Sequence, residues 1–506
     1  MNKLLGALGF VFTISGFLVT ASAQDEVPQG WHLKDHQKDG LYGISLDQAY
    51  EFLKSKGLKS TPVIVGIVDS GVDTTHEDLK PVLWINEKEI PGNGIDDDKN
   101  GYIDDIYGWN FLGSKDGKEN VTKDSFEGAR VYWKFKNRFE GKTESQVPAN
   151  EKEDYKMWVR AKQDIDKNAS DPEETEFLKL LAEVFAEGDS VIRKDLNKEV
   201  YSCKDLAAYT PLAASANQAK RILVTTCKGN DNDDITNKML MEDIHKDLDK
   251  ATMGEQPPKN YRNDIVKDNY SDLNDRYYGN SNVLVDNESA MHGTHVAGII
   301  GAARHNGVGM DGVADNVRLM SIRAVPDGDE HDKDIALGIR YAVDNGARVI
   351  NMSFGKGFSP EKKWIDEAVK YAESKNVLLV HAAGNDAVNI DTAYNFPSAK
   401  FLDGKRPTSW ITVGASGDEK AGGLAASFSN YGKKEVDVFA PGVRIYSTVP
   451  GGNTYANLQG TSMAAPVVSG VAALIMSYYP NLSAAQVKKI IEKTVSKPGI
   501  KTANPG

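Results

Sequence analysis

Cysteine is scarce. Cys203 and Cys227 are the two in 506 residues, and neither sits in a catalytic or metal-type motif. Outside a reducing cytosol they can close one bridge, stabilising by roughly 3 kcal/mol in the chain-entropy model; two free buried thiols are the other reading. Positive charge also falls short: 60 Lys and Arg face 72 Asp and Glu, a formal net charge of −12. That balance argues against nucleic acid or an anionic membrane surface as partner, and fits a solvated acidic surface. After the first twenty residues no apolar run reads as long enough to span a bilayer. Internal repeats and low-complexity tracts are missing too. What remains, 40% hydrophobic and 26% charged, is the composition of a globular protein with one large domain and something extra.

The start of the chain is informative. Met1-Asn2-Lys3 is a short basic opening, and Leu4 to Val19 is largely apolar, interrupted by Thr13, Ser15 and Gly16. Ala21-Ser22-Ala23 then has the small-x-small pattern of a signal-peptidase site, and no Cys follows for lipid attachment. Residues 1–23 therefore read as a signal peptide, with a mature start near Gln24. The protein is expected to be exported, periplasmic or secreted, with no membrane association once the leader is removed.

Ser45-Leu-Asp-Gln48 reads as a capping box opening a helix to about Ser55. Val63-Ile-Val-Gly-Ile-Val68 is a continuous β-branched run, as expected of a strand buried on both faces of a parallel sheet. Similar runs follow at 318–325, 348–354, 377–383, 410–415 and 436–439, with helical patterns between several of them, at 293–303, 333–345, 361–375 and 463–479. Strands alternating with helices predict an α/β fold with a mainly parallel sheet. The stretch 112–285 differs, being rich in Lys, Glu, Asp and Asn. Phe177, Leu178, Leu181, Val184 and Phe185 form one helical stripe within it. It reads as a mostly helical, charged insertion in a domain spanning 24–495, with 496–506 as a tail.

Four short motifs carry chemistry. Val68-Asp69-Ser70-Gly71 puts a carboxylate where a buried strand ends, the edge at which parallel sheets place sites; alone it could be a turn. His292-Gly-Thr-His295 opens a helix whose small residues allow close packing. Two His three apart could also bind a metal, but no His-Glu-x-x-His pattern accompanies them. Gly460-Thr-Ser462-Met-Ala-Ala-Pro466 places a Ser at a helix N-terminus, where N–H groups suit a developing oxyanion; alone it reads as an N-cap. Ala382-Ala383-Gly384-Asn385 ends a buried strand with a neutral donor, or with a turn residue.

Taken together and in this order, these motifs resemble the subtilisin-like serine peptidase family, over about residues 36–111 and 286–495. The resemblance implies a seven-stranded parallel sheet flanked by helices and peptide-bond hydrolysis through an acyl-enzyme. It implies Ser462 as nucleophile, His292 as general base and then acid, and Asp69 as the group that orients His292. Asn385 and the Ser462 N–H would make the oxyanion hole, and His295 would be structural. Ser353-Phe354-Gly355 and Ala382-Ala383-Gly384 would wall the pocket before the scissile bond, with Gly328-Asp329-Glu330 as a second, edge-binding strand. Polypeptides are the expected substrates, the chain acting as a monomer that requires no cofactor for the reaction.

The sequence departs from the family in two places. No room is left before the first strand for the usual folded propeptide, and the insertion separates Asp69 from His292. Asp327, Asp329, Glu330, Asp332 and Asp334 crowd the expected edge strand. They would favour Lys or Arg two and four residues before the cut, or else face solvent and cap a helix. Phe354 and Asn395, at the pocket, predict an uncharged residue directly before the bond. A loop over 93–105 offers Asp96, Asp98, Asn100 and Asp104 at calcium-like spacing, although Tyr107 stands where an EF-hand has Glu. It reads as a structural Ca2+ site or as an ion-free acidic turn. Two further readings stay open: a noncatalytic binding protein on the same scaffold, and a peptidase or ligase dedicated to one precursor.

Overall fold

The computed structural model describes residues 27–499 apart from 231, 232, 234 and 420–422. The expected leader, and the tail beyond 499, lie outside the described residues. The chain divides into two compact units, one of residues 25–127 and 259–506, the other centred on 128–258.

The larger unit is built on seven parallel strands: β1 (Val63–Asp69), β2 (Gly108–Asn110), β3 (Val317–Arg323), β4 (Val349–Met352), β5 (Leu378–Ala382), β6 (Trp410–Ser416) and β7 (Val438–Pro441). Their spatial order is β2-β3-β1-β4-β5-β6-β7. Side chains alternate across a strand. Val63, Val65 and Ile67 therefore enter one apolar layer with the Met291–Gly301 and Thr461–Tyr478 helices. Val68 enters the other, with the Asp332–Asp344 and Lys362–Ser374 helices. Burial on both faces explains why the strands read as unbroken apolar runs. An antiparallel hairpin, β8 (Ile445–Val449) with β9 (Thr454–Leu458), follows β7.

Three local expectations change. Ser45 does not cap its helix: it stands at φ 55° and its hydroxyl donates to Asp35 Oδ2 at 2.7 Å, a charged acceptor that outcompetes a backbone group. Thr461–Tyr478, 18 residues, is long and apolar enough to cross a membrane by length and composition, yet most of it is buried as the core helix of the α/β unit. The insertion is narrower than 112–285. Residues 112–127 and 259–285 belong to the α/β unit because their backbone pairs there, as in Asn110 N to Asn280 O at 2.9 Å and Val121 N to Leu112 O at 2.8 Å.

The smaller unit is helical, its longest helices being Lys152–Asn168, Pro172–Leu196, Ala214–Asn230 and Asn237–Thr252. Asp171 caps the second of these, and Pro172 occupies its first position, where no N–H is needed. Leu178, Leu181 and Phe185 are buried as the stripe required, while Phe177 is exposed. Cys203 and Cys227 are joined in a disulfide within this unit.

Candidate active site

The chain runs from β1 to one side of the sheet and returns to the other at β4, so the strand order reverses between them. Carboxyl ends at such a reversal are where open α/β sheets hold ligands. Asp69 ends β1, Ser353 follows β4, and Asn385 follows β5. Asp69 is 2% exposed. Its Oδ1 accepts from Ser70 N at 2.8 Å and lies 2.7 Å from His292 Nδ1. Because a carboxylate only accepts, Nδ1 carries the proton, and Nε2 is left as the basic nitrogen. Gly293 makes the approach feasible: a Cβ there would lie 2.1 Å from the Gly71 carbonyl oxygen. His295, on the same helix, is fully buried with Nε2 3.1 Å from Ala456 O, and burial lowers its pKa to about 3. It braces the β8–β9 hairpin as a neutral ring.

Ser462 is the second residue of its helix. The first N–H groups of a helix have no partner within it. Ser462 Oγ donates to Ser353 O at 3.0 Å. Asn385 is oriented by the neighbouring Thr461, whose backbone N–H and hydroxyl both donate to Asn385 Oδ1, at 2.9 and 3.0 Å. The amide Nδ2 is thereby turned the other way. A side chain at Gly460 would begin 3.3 Å from Asn385 Nδ2 and 3.6 Å from Ser462 N. Glycine thus keeps clear the space that both donors border, a geometry suited to an oxyanion.

The expected pocket walls adjoin. Asn395 donates to Ala383 O at 3.0 Å, and its Oδ1 lies 2.9 Å from where a Cβ on Gly355 would sit, so it spans the two walls. Three positioning residues were not foreseen. Asn430 donates to Ala383 O at 2.8 Å and accepts from the N–H groups of Asp386 and Val388, bracing the loop that carries Asn385. Thr461 is the second. His381 is the third: its Nε2 lies 2.8 Å from Phe354 O, and burial lowers its pKa to about 4. His381 is a polar residue inside an apolar strand, and Asn430 and Thr461 sit in polar stretches, where local patterning gives neither a role.

The acids near 328–330 are differently placed than expected. Asp329 accepts from Glu127 N at 2.7 Å, Asp332 pairs with Lys356 at 2.9 Å, and Asp334 pairs with Arg262 at 2.6 Å. Glu330, Asp332 and Asp334 are each at most 2% exposed. Burial pushes the Glu330 carboxyl up to about 8, with Lys356 pulling against it. Glu330, Asp332 and Asp334 are thus closed off from solvent, whereas Asp329 is half-buried and Asp327 exposed. Asp327 also takes main-chain partners, donating to Thr122 O and accepting from Asp124 N.

In the acidic loop, carboxylate oxygens of Glu89, Asp96 and Asp98 lie within 4.8 Å of one another. Glu89 was not anticipated. Asp104 is turned away to the N–H groups of Gly92, Asn93 and Gly94, and Asn100 Nδ2 donates to Asp105 at 3.1 Å.

A model described as the Subtilase family matches residues 60–504. The chain belongs to the subtilase family. It is 42% identical over 207 residues to the thermophilic serine proteinase of Bacillus sp. strain AK1, covering 41% of this chain and 47% of that protein. To subtilisin DY of Bacillus licheniformis it is 43% identical over 212 residues, 41% of this chain and 71% of that one. Thermitase of Thermoactinomyces vulgaris is 39% identical over 238 residues, 46% of this chain and 78% of its own. The chain thus spans about half of the first of these subtilases and more of the other two.

Proposed function

We propose that this subtilase is an exported, monomeric serine endopeptidase acting on polypeptides, with Asp69, His292 and Ser462 as its triad. The observation that carries the reading is the 2.7 Å bond from His292 Nδ1 to buried Asp69. Ser462 Oγ attacks the peptide carbonyl and gives its proton to His292 Nε2, while Asp69 stabilises the imidazolium. The carbonyl oxygen, now negative, accepts from Asn385 Nδ2 and Ser462 N–H. Collapse expels the amine with the proton from His292, and water, activated by the same ring, releases the acyl group. Ser353–Gly355 and Ala382–Gly384 hold the substrate backbone before the bond. The segment 128–258 is an inserted accessory unit.

A structural Ca2+ ion fits the acidic loop, where three hard carboxylates converge, and Glu89, Asp96 and Asp98 would hold it. Asp104 instead anchors the turn, and no chemical step involves the ion.

Labelling by a fluorophosphonate, with Ser462→Ala as blank, tests the triad. Labelling of Ser462 with turnover of denatured casein supports a general peptidase. Absence of labelling in folded protein points to the noncatalytic scaffold, and labelling without casein turnover to a dedicated processing enzyme.

A further inference from the structure

The main chain that walls the cleft continues from Ser353-Phe354-Gly355 directly into Lys356. Ser353 O meets the Ser462 hydroxyl, so position 353 lies beside the expected nucleophile. An extended peptide paired with this wall advances one residue for each wall residue, about 3.3 Å at a time. Residues 353, 354 and 355 can therefore accompany about three substrate residues.

At 356 the wall ends. Lys356 N donates to Phe396 O, and Phe396 N to Lys356 O, both at 2.9 Å, so this main chain is already paired. The Lys356 side chain crosses to the opposite wall. Its Nζ donates to Glu330 O at 2.6 Å, to Glu127 Oε2 at 2.8 Å, and pairs with Asp332 Oδ1 at 2.9 Å. The ammonium side chain is 2% exposed, and those of Glu127 and Asp332 are 4% and 2% exposed. Separating a buried ion pair leaves charges without compensation, so an incoming peptide does not displace it.

We propose that Lys356 closes the upstream end of the cleft, so that substrate is gripped for about three residues before the scissile bond and then turns out to solvent. The inference rests on the reading that 353–355 and 328–330 flank the substrate. It makes selectivity a property of the three nearest residues. It also replaces the upstream preference for Lys or Arg, because Asp332 is paired with Lys356, Asp334 with Arg262, and Asp329 accepts from Glu127 N.

The test is a ladder of N-acetylated peptidyl coumarin amides sharing one residue before the bond and carrying one to five residues in all. kcat/KM is expected to climb up to three residues and to change less than about twofold at four and five. A rise of about tenfold at the fourth residue overturns the closure. The same ladder on a Lys356→Ala, Glu127→Gln, Asp332→Asn variant, which leaves no lone buried charge, should regain dependence on the fourth residue. An unchanged flat profile in a variant that still labels means that Lys356 is not the stop. Should the variant not fold, the ladder on the unmodified protein decides. Fluorophosphonate labelling separates the two levels. Without it the peptidase reading itself falls, whereas labelling with a ladder that keeps climbing removes only the closure.

Discussion

Ser353 and Ser462 exchange hydrogen bonds. Ser462 Oγ donates to Ser353 O at 3.0 Å, and Ser353 Oγ donates to Ser462 O at 2.8 Å. The second bond has its cause one turn further on. Pro466 lies inside the helix and has no N–H, so the Ser462 carbonyl four residues earlier lacks its helical donor. The Ser353 hydroxyl supplies one, and in doing so fixes the Ser462 backbone beside the end of β4.

Ser353→Ala should therefore destabilise the protein by about 1–3 kcal/mol, the cost of an unsatisfied buried carbonyl. In a Pro466→Ala background, where a helical N–H is restored, the same substitution should cost clearly less. Urea unfolding of the four proteins in this cycle measures the difference. Equal losses in both backgrounds would falsify the proline explanation.

Asn385→Ala should lower kcat by about 10²–10³, the size known for such a donor in subtilisin itself. Thr461→Val, which keeps shape but removes the hydroxyl that holds Asn385 Oδ1, should lower kcat less and leave KM near its original value. Asn430→Ala should act the same way through the 383–388 loop. Steady-state kinetics on a short peptide amide give the split. If KM rises while kcat stays constant, these residues serve binding and not the oxyanion.

Chelation should lower the melting temperature if Glu89, Asp96 and Asp98 hold Ca2+, since an ion bound only to the folded state stabilises by about 2.7 kcal/mol at a hundredfold excess over Kd. Asp98→Asn should abolish the difference between calcium and chelator. Scanning calorimetry in each condition reports it, and coincident melting curves for the unmodified protein would remove the ion from this loop.

Acid should weaken the fold before catalysis is considered. His32 and His381 are fully buried, and burial lowers each pKa to about 4; His295 is lowered to about 3. An unfolded His takes a proton near 6.5. Between there and about 4 the unfolded chain binds more protons than the folded one, so stability falls as pH falls, by roughly 1.4 kcal/mol per unit for each ring. Glu330, raised to about 8, and Asp105, raised to about 6, both by burial, work in the opposite direction over part of this window. The net slope should remain positive from pH 4.5 to 6.5. Urea midpoints at pH 5 and 7 test the sign, and a protein more stable at pH 5 would contradict it.

The sheet was legible in the sequence because strands buried on both faces leave continuous runs such as Val63–Val68. β2 was not, being three residues held by Ser321 and its neighbours rather than by its own pattern. β9 was missed because its residues are exposed or half-buried and show no apolar run, and β8 because two of its buried positions, Ser447 and Thr448, are polar. The candidates Asp69, His292, Ser462 and Asn385 came from motifs, and the structure puts each near a strand end or helix start. Thr461, Asn430 and Lys356 were not readable in this way, because their roles come from partners about 75, 50 and 230 residues away. Distance in sequence also misled the reading of Asp329, whose partner Glu127 belongs to another stretch of chain altogether, and of Glu330, whose carbonyl is held by Lys356.

β1 lies at the centre of the sheet, yet its first partner by contact is β3, with Val63 opposite Val317. During synthesis the earliest strand of the sheet core therefore waits about 250 residues for an edge to join. At roughly 5–20 residues per second that is on the order of ten to fifty seconds. Asp69, at the end of that strand, waits nearly as long for His292 and longer still for Ser462. Until then the proposed triad is not assembled and the central sheet is incomplete. A long delay of this kind would hold the proposed peptidase idle while it is still extended, the condition under which an unfolded polypeptide can be threaded through a narrow translocation channel.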